Sequence, residues 1–217
     1  MDELNAQIVP LVRNLLGGCG SFVRGGSLEI IDCRSGDLTA RRDDGNCDRF
    51  TISIPYCGTT LRWQVIFNSN RPRQAPDFIF DDVDFCPKLA NLKTLTDWDS
   101  SDENCLRAAV FELLMQYRDY QLTEARRVNV IRFETDFLSE NDEYSRFETY
   151  VVKETQETQR RTRLCIQLPV DFSLIPSYFT RNLPGDDAAT LSLVFYGPTY
   201  DRVRTKLRLS SRLEKLP

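Results

Sequence analysis

Histidine does not occur anywhere in the 217 residues. That absence excludes His-based general bases, Ser-His-Asp and Cys-His nucleophiles and nearly all catalytic zinc sites, so any chemistry would have to come from carboxylates, Lys, Tyr or an unassisted Cys. An excess of positive charge is lacking too. The formal net charge is −4, the pI is about 5.1, and the pairs Arg41/Arg42, Arg126/Arg127 and Arg160/Arg161 are scattered. Nucleic acid is therefore not expected as a direct ligand. No stretch approaches the roughly 18 apolar residues that a membrane span needs. The beginning of the chain, with Asp2, Glu3 and Pro10, has no charged start followed by an apolar run. Neither a signal peptide nor a membrane is expected, and the chain reads as intracellular and soluble.

Paired cysteine spacing is also missing. The seven cysteines (Cys19, Cys33, Cys47, Cys57, Cys86, Cys105 and Cys165) are odd in number and contain no CxxC. They read as reduced thiols, most of them small core residues, rather than a disulfide framework.

What is present is enough apolar material for one large or two small cores: 41% hydrophobic residues, 13 of them Phe. Leu4, Ile8, Leu11, Val12 and Leu15 recur at helical spacing until Gly17 and Gly18, with Pro10 either kinking the helix or beginning its second part. Leu28 to Cys33 reads as a strand, followed by a turn at Arg34 to Asp37. Phe50, Ile52, Ile54 and Tyr56 alternate, as do Leu61, Trp63, Val65 and Phe67 after a turn at Cys57 and Gly58, which predicts an antiparallel hairpin. Phe78 to Phe80 adds a short strand after the loop from Pro72 to Pro76. Ser100 and Glu103 have capping-box spacing, and Leu106, Val110, Leu113, Leu114 and Tyr117 form a helical stripe behind them. A second helix is expected over about 124–141, then strands near Phe147 to Val152, Arg163 to Leu168, Leu191 to Phe195 and Val203 to Leu209. The stretch from Arg49 to Tyr56 and that from Arg163 to Val170 share the pattern Arg, apolar, x, Ile, x, apolar, Pro, apolar, which suggests an internal repeat.

Helix, four-stranded meander, a Pro-rich loop before the last strand, then helix: this order resembles the ubiquitin-conjugating-enzyme fold. More narrowly, Asn46-Cys47-Asp48-Arg49-Phe50, Ile54-Pro55-Tyr56, Gly58, Thr60-Leu61, Trp63, Ile66-Phe67-Asn68 and Pro76-Asp77-Phe78-Ile79-Phe80 are similar to the first ubiquitin-conjugating-enzyme-variant (UEV) domain of the BRE family. Leu168-Pro169-Val170-Asp171-Phe172-Ser173 with Ile175-Pro176 matches the same family farther along. The fold class expected is α+β, with two tandem UEV-like modules, each an N-terminal helix plus an antiparallel four-stranded meander. The first module, 1–121, ends in a helix; the second, 122–217, is incomplete, and the resemblance implies a further C-terminal portion.

The same resemblance implies a non-catalytic scaffold subunit, shared by the BRISC and Abraxas-containing deubiquitinase complexes and bridging other members of a lysine-63-selective assembly. Implied partners are an Abraxas-type scaffold, a JAMM-type zinc deubiquitinase and a von Willebrand factor A-like subunit. The zinc would belong to that protease, and no cofactor is expected in this chain. Implied settings are nuclear DNA-damage response and cytoplasmic deubiquitination, including mitotic roles. The rival readings are a module that binds ubiquitin directly and an active conjugating enzyme.

Active conjugating enzymes carry His-Pro-Asn just after the last meander strand and the nucleophilic Cys a short loop later. Here Phe80 is followed by Asp81-Asp82-Val83-Asp84-Phe85-Cys86-Pro87. His and Asn are absent, so Phe85, Cys86 and Pro87 mark a degenerate site. Cys86 has three aspartates against a single Lys88, the charge balance that disfavours a thiolate. An oxyanion stabiliser is missing too, and the loss of one such donor costs roughly 2.7 to 4 kcal/mol of barrier.

Other motifs carry less. Gly17-Gly18-Cys19-Gly20 and Gly25-Gly26-Ser27 lack the preceding strand and following Gly-Lys-Ser/Thr of a phosphate loop and read as turns. Asp81, Asp82 and Asp84 lack calcium-loop spacing and read as an acidic rim toward a basic partner. With Trp98, Tyr117 and Tyr120 they form the candidate partner interface, core packing being the competing reading for the aromatics.

Overall fold

The computed structural model describes residues 4–18, 27–36, 46–152, 161–170, 189–197, 199–209 and 214. They fall into two compact units, the first running to Tyr120 and the second from Gln121.

The first unit opens with helix α1, Val9–Gly18. Pro10 sits in its first turn, where a missing N–H costs nothing, so the proline begins the helix rather than kinking it. Ile8, Leu11, Val12 and Leu15 are all buried. Strands β1 (Glu29–Arg34), β2 (Arg49–Tyr56), β3 (Thr59–Ile66) and β4 (Asp77–Ile79) form an antiparallel sheet in sequence order. In β2 and β3 every second side chain is buried, and the register sets Phe50 opposite Val65, Ile52 opposite Trp63 and Ile54 opposite Leu61. Burying each of these large side chains stabilises by roughly 1.5–3 kcal/mol, so the hairpin anchors the core. Its two-residue turn has both residues left-handed, Cys57 at φ 44° and Gly58 at φ 68°, the turn whose twist matches paired strands. Pro55 lies past Ser53, the last β2 residue paired to β1 from that end, so its missing donor breaks no ladder.

Two short helices follow β4 in the described chain: a 3₁₀ turn at Leu89–Asn91 and α2, Lys93–Thr96. Helix α3 then runs over Cys105–Ala125. The expected capping box does not form. Ser101, not Ser100, closes on Asp99, with its N–H and hydroxyl donating to Asp99 Oδ1 at 2.9 and 2.5 Å. The helix begins after Asn104, whose carbonyl accepts from Ala108 N–H at 2.9 Å. Glu103 Oε2 is taken instead by Asn14 Nδ2 at 3.2 Å. Leu106, Ala109, Val110, Leu113, Leu114 and Tyr117 form the buried face of α3.

Helix α3 continues to Ala125, and α4 spans Asn129–Glu140, starting later than the expected 124. In the second unit β5 (Phe147–Val152), β6 (Arg161–Leu168), β7 (Ala189–Tyr196) and β8 (Arg202–Leu209) form another four-stranded antiparallel sheet in sequence order. Its core joins Ala125, Ile131, Leu138, Phe147, Leu164, Ile166 and Phe195. The two segments of the suspected repeat take the same place, the second strand of each sheet, and Pro169 falls immediately beyond β6. The observed architecture is α+β. Of the second family-like patch, residues 171–176 lie outside the described residues, as do Cys19, Gly20, Gly25 and Gly26 of the glycine motifs; Gly17 and Gly18 end α1 rather than forming a turn.

Candidate functional site

The chain immediately after β4, where the resemblance to conjugating enzymes implies the place of a catalytic motif, is built around an aromatic anchor. Phe80 leaves the sheet and contacts Trp63 at 5.1 Å between ring centroids, edge to face. Five residues on, the loop returns and inserts Phe85 between Phe80 (4.9 Å), Tyr117 (5.0 Å) and Tyr120 (5.6 Å). Tyr117 in turn meets Tyr56 at 5.3 Å and Trp63 at 5.9 Å. Such ring pairs add about 0.5–1.5 kcal/mol each beyond the burial itself. Phe85 is 6% exposed, so it is a hydrophobic plug rather than a reactive position.

The carboxylates of Asp81 and Asp82 hold this loop. Asp81 Oδ2 accepts from Arg62 N–H on β3 at 2.8 Å. Asp82 Oδ1 accepts from Asp84 N–H at 3.2 Å, its carbonyl accepts from Phe85 N–H at 3.1 Å, and its Oδ2 faces the Tyr117 hydroxyl at 3.5 Å. This Asx turn is what the spacing Asp82-Val83-Asp84 encodes. Beyond it, Gln116 clamps the loop to α3: its Oε1 accepts from Lys88 N–H at 2.7 Å, and its Nε2 donates to Lys88 O at 3.3 Å. Sequence reasoning missed Gln116, because a single Gln on a helix gives no sign of a partner 28 residues away.

Cys86 is exposed and follows Phe85 on the solvent side of the loop. Pro87 is half-buried. Among the described residues, no three His, Cys, Asp or Glu side chains converge as a metal site.

The candidate interface residues separate on burial. Tyr117 is 1% exposed and belongs to the core, which removes it as a surface contact. Tyr120 is half-buried against Phe85. Trp98 is half-buried as well; its Nε1–H donates to Arg73 O at 3.1 Å and its ring lies 6.3 Å from Phe67, so it ties the Pro72 to Pro76 loop to the sheet. Asp81 and Asp84 are exposed, and Asp82 half-buried.

One of the family-like stretches, Asn46 to Phe50, also has a structural reason. Asp48 is 2% exposed. Its carboxylate accepts from Gly36 N–H at 2.7 Å, from Arg49 Nε at 3.2 Å and from the Ser69 hydroxyl. Its main chain donates to Arg34 O at 3.2 Å and accepts from Phe67 N–H at 2.8 Å. One buried carboxylate thus joins the end of β1, the start of β2 and the chain leaving β3. Cys47 beside it bridges Leu4 and accepts from Asn5 N–H at 3.0 Å.

The model of the family described as "Brain and reproductive organ-expressed protein (BRE)" matches residues 2–216. The chain is similar to a Danio rerio protein named "BRISC and BRCA1-A complex member 2", 39% identical over 98% of this chain and 55% of that protein. A Branchiostoma floridae protein of the same name is 33% identical over 99% of this chain and 57% of that protein. The chain therefore spans a little over half the length of these relatives.

Proposed function

The chain belongs to the BRE family, and on that premise we propose that it serves as a non-catalytic scaffold within a lysine-63-selective deubiquitinase assembly, its two units being UEV-like modules that bridge other subunits. The observation that carries this reading is Phe85. At the position where a conjugating enzyme needs imidazole, amide and an activated thiol, this chain spends its loop on burying an aromatic ring among Phe80, Tyr117 and Tyr120. The names of the two relatives, both members of a complex, support a role in an assembly. The partners proposed are an Abraxas-type scaffold, a JAMM-type zinc deubiquitinase and a von Willebrand factor A-like subunit. Zinc chemistry would reside in the protease. Activity in nucleus and cytoplasm follows from the same proposal.

Co-purification of the chain with each partner separately tests it, alongside incubation with activating enzyme, ATP and ubiquitin. Stable capture of at least one partner and no thiol-sensitive ubiquitin adduct is the expected result. Capture of none, or an adduct that Cys86→Ala abolishes, overturns the proposal. Saturable binding of free ubiquitin without capture of any partner would instead favour a ubiquitin-reading module.

A further inference from the structure

Strand β8, RVRTKLRL, is the outer strand of the second sheet, and all eight of its residues are exposed. Among the described residues no strand pairs with its free side. Its sequence alternates strictly. Arg202, Arg204, Lys206 and Arg208 project from one face of the sheet, and Val203, Thr205, Leu207 and Leu209 from the other. The register identifies the two faces. Val203 stands opposite Phe195, Leu207 opposite Leu191 and Leu209 opposite Ala189, and those β7 residues stand opposite Thr162, Ile166 and Leu168. The apolar row of β8 is therefore the lateral continuation of the unit's core face, yet Val203, Leu207 and Leu209 are left 46%, 54% and 41% exposed. On the opposite face, Arg204 lies 6.0 Å over the Tyr196 ring.

A chain of net charge −4 thus sets four cations on one side of one edge strand. Charged residues commonly guard sheet edges against pairing, but guarding alone leaves three large apolar side chains on the same edge unexplained. Pairing with a second copy of β8 is disfavoured in either phase: it sets cation beside cation or cation beside aliphatic side chain. One kind of strand satisfies both faces at once, with carboxylates on the cationic side and aliphatic groups on the core side. We propose that the β8 edge accepts an extended segment of a protein partner in which Asp or Glu alternates with apolar residues, added as a fifth strand to the second sheet. Main-chain hydrogen bonds supply the attachment, and the alternation supplies selectivity.

The test is fluorescence anisotropy of the 217-residue chain with a labelled peptide of four Glu-Val repeats. Comparison probes are a scrambled peptide of equal composition, the same alternating peptide N-methylated at every second residue in either phase, and a single-stranded oligonucleotide. Saturable binding by the alternating peptide is expected, weakened by salt, lost in one N-methylated phase, and reduced on the order of tenfold or more by Arg204→Glu with Lys206→Glu. Both substituted residues are exposed, and unchanged circular dichroism verifies the variant's fold, while the N-methylated peptides need no variant. Equal binding of the scrambled peptide, indifference to N-methylation in both phases, preferential binding of the oligonucleotide, or no binding at all would overturn the proposal.

Discussion

The ring of Phe85 meets the ring of Tyr117 edge to face, with centroids 5.0 Å apart and planes at 88°. This contact joins the loop after β4 to the middle of α3, and it places the adjacent thiol of Cys86 outside the core. Truncation at the two neighbouring positions should therefore have very different effects. Phe85→Ala is expected to cost about 3–5 kcal/mol, whereas Cys86→Ala should stay within about 0.5 kcal/mol. Urea denaturation checks both, and equal losses would show that the ring is not the anchor.

Gln116 makes two hydrogen bonds to the main chain of Lys88. Gln116→Ala should cost about 1–3 kcal/mol, at roughly 0.5–1.5 kcal/mol per bond. The more telling measurement is amide hydrogen exchange: faster exchange across 82–88 is expected, with the β2–β3 hairpin unaffected.

Asp48 offers a sharper case, because its carboxylate is buried and accepts from Gly36, Arg49 and Ser69. Asp48→Ala leaves those donors unsatisfied and should destabilise the first unit by about 2–4 kcal/mol. Asp48→Asn keeps one acceptor oxygen and is expected to lose less. Thermal unfolding of the three proteins tests the order, and an Asn variant as damaged as the Ala variant would contradict it.

Burial, reinforced by Asp102 and Asp99, pushes the Cys105 thiol up to about 11 from 9.0. A thiol held protonated in the fold contributes stability that is present below pH 9 and is lost as pH rises from 9 toward 11. The loss of stability between pH 8 and pH 10.5 should therefore be smaller in Cys105→Ala than in the parent chain. Thiol labelling at neutral pH should reach the exposed Cys86 in the folded chain and the buried Cys105 only on unfolding.

Much of this architecture was written in alternation and periodicity. The β2–β3 hairpin and the strands of the second sheet could be read because their apolar residues follow the pleat, and a two-residue turn leaves no freedom in register. Other features needed the fold. The spacing of Ser100 and Glu103 imitates a capping box, but Asp99 captures Ser101 and Asn14 captures Glu103, so competing partners moved the start of α3. Tyr117 read as either core or interface, and only the arrival of Phe85 decides it. Asp82 read as part of an acidic rim because local turn chemistry and surface charge use the same residue. The second helix was expected from about 124, yet Glu124 and Ala125 still belong to α3 and the gap falls at 126–128.

The final turn of α3 has a practical consequence for dissecting this polypeptide. Gln121 accepts from Val151 N–H at 2.9 Å, and Leu122 and Ala125 pack with Ile131 and Phe147. A protein fragment meant to represent the later half must therefore start upstream of Gln121, within the helix. One cut at the polar residues that follow would discard part of the very core it was designed to preserve.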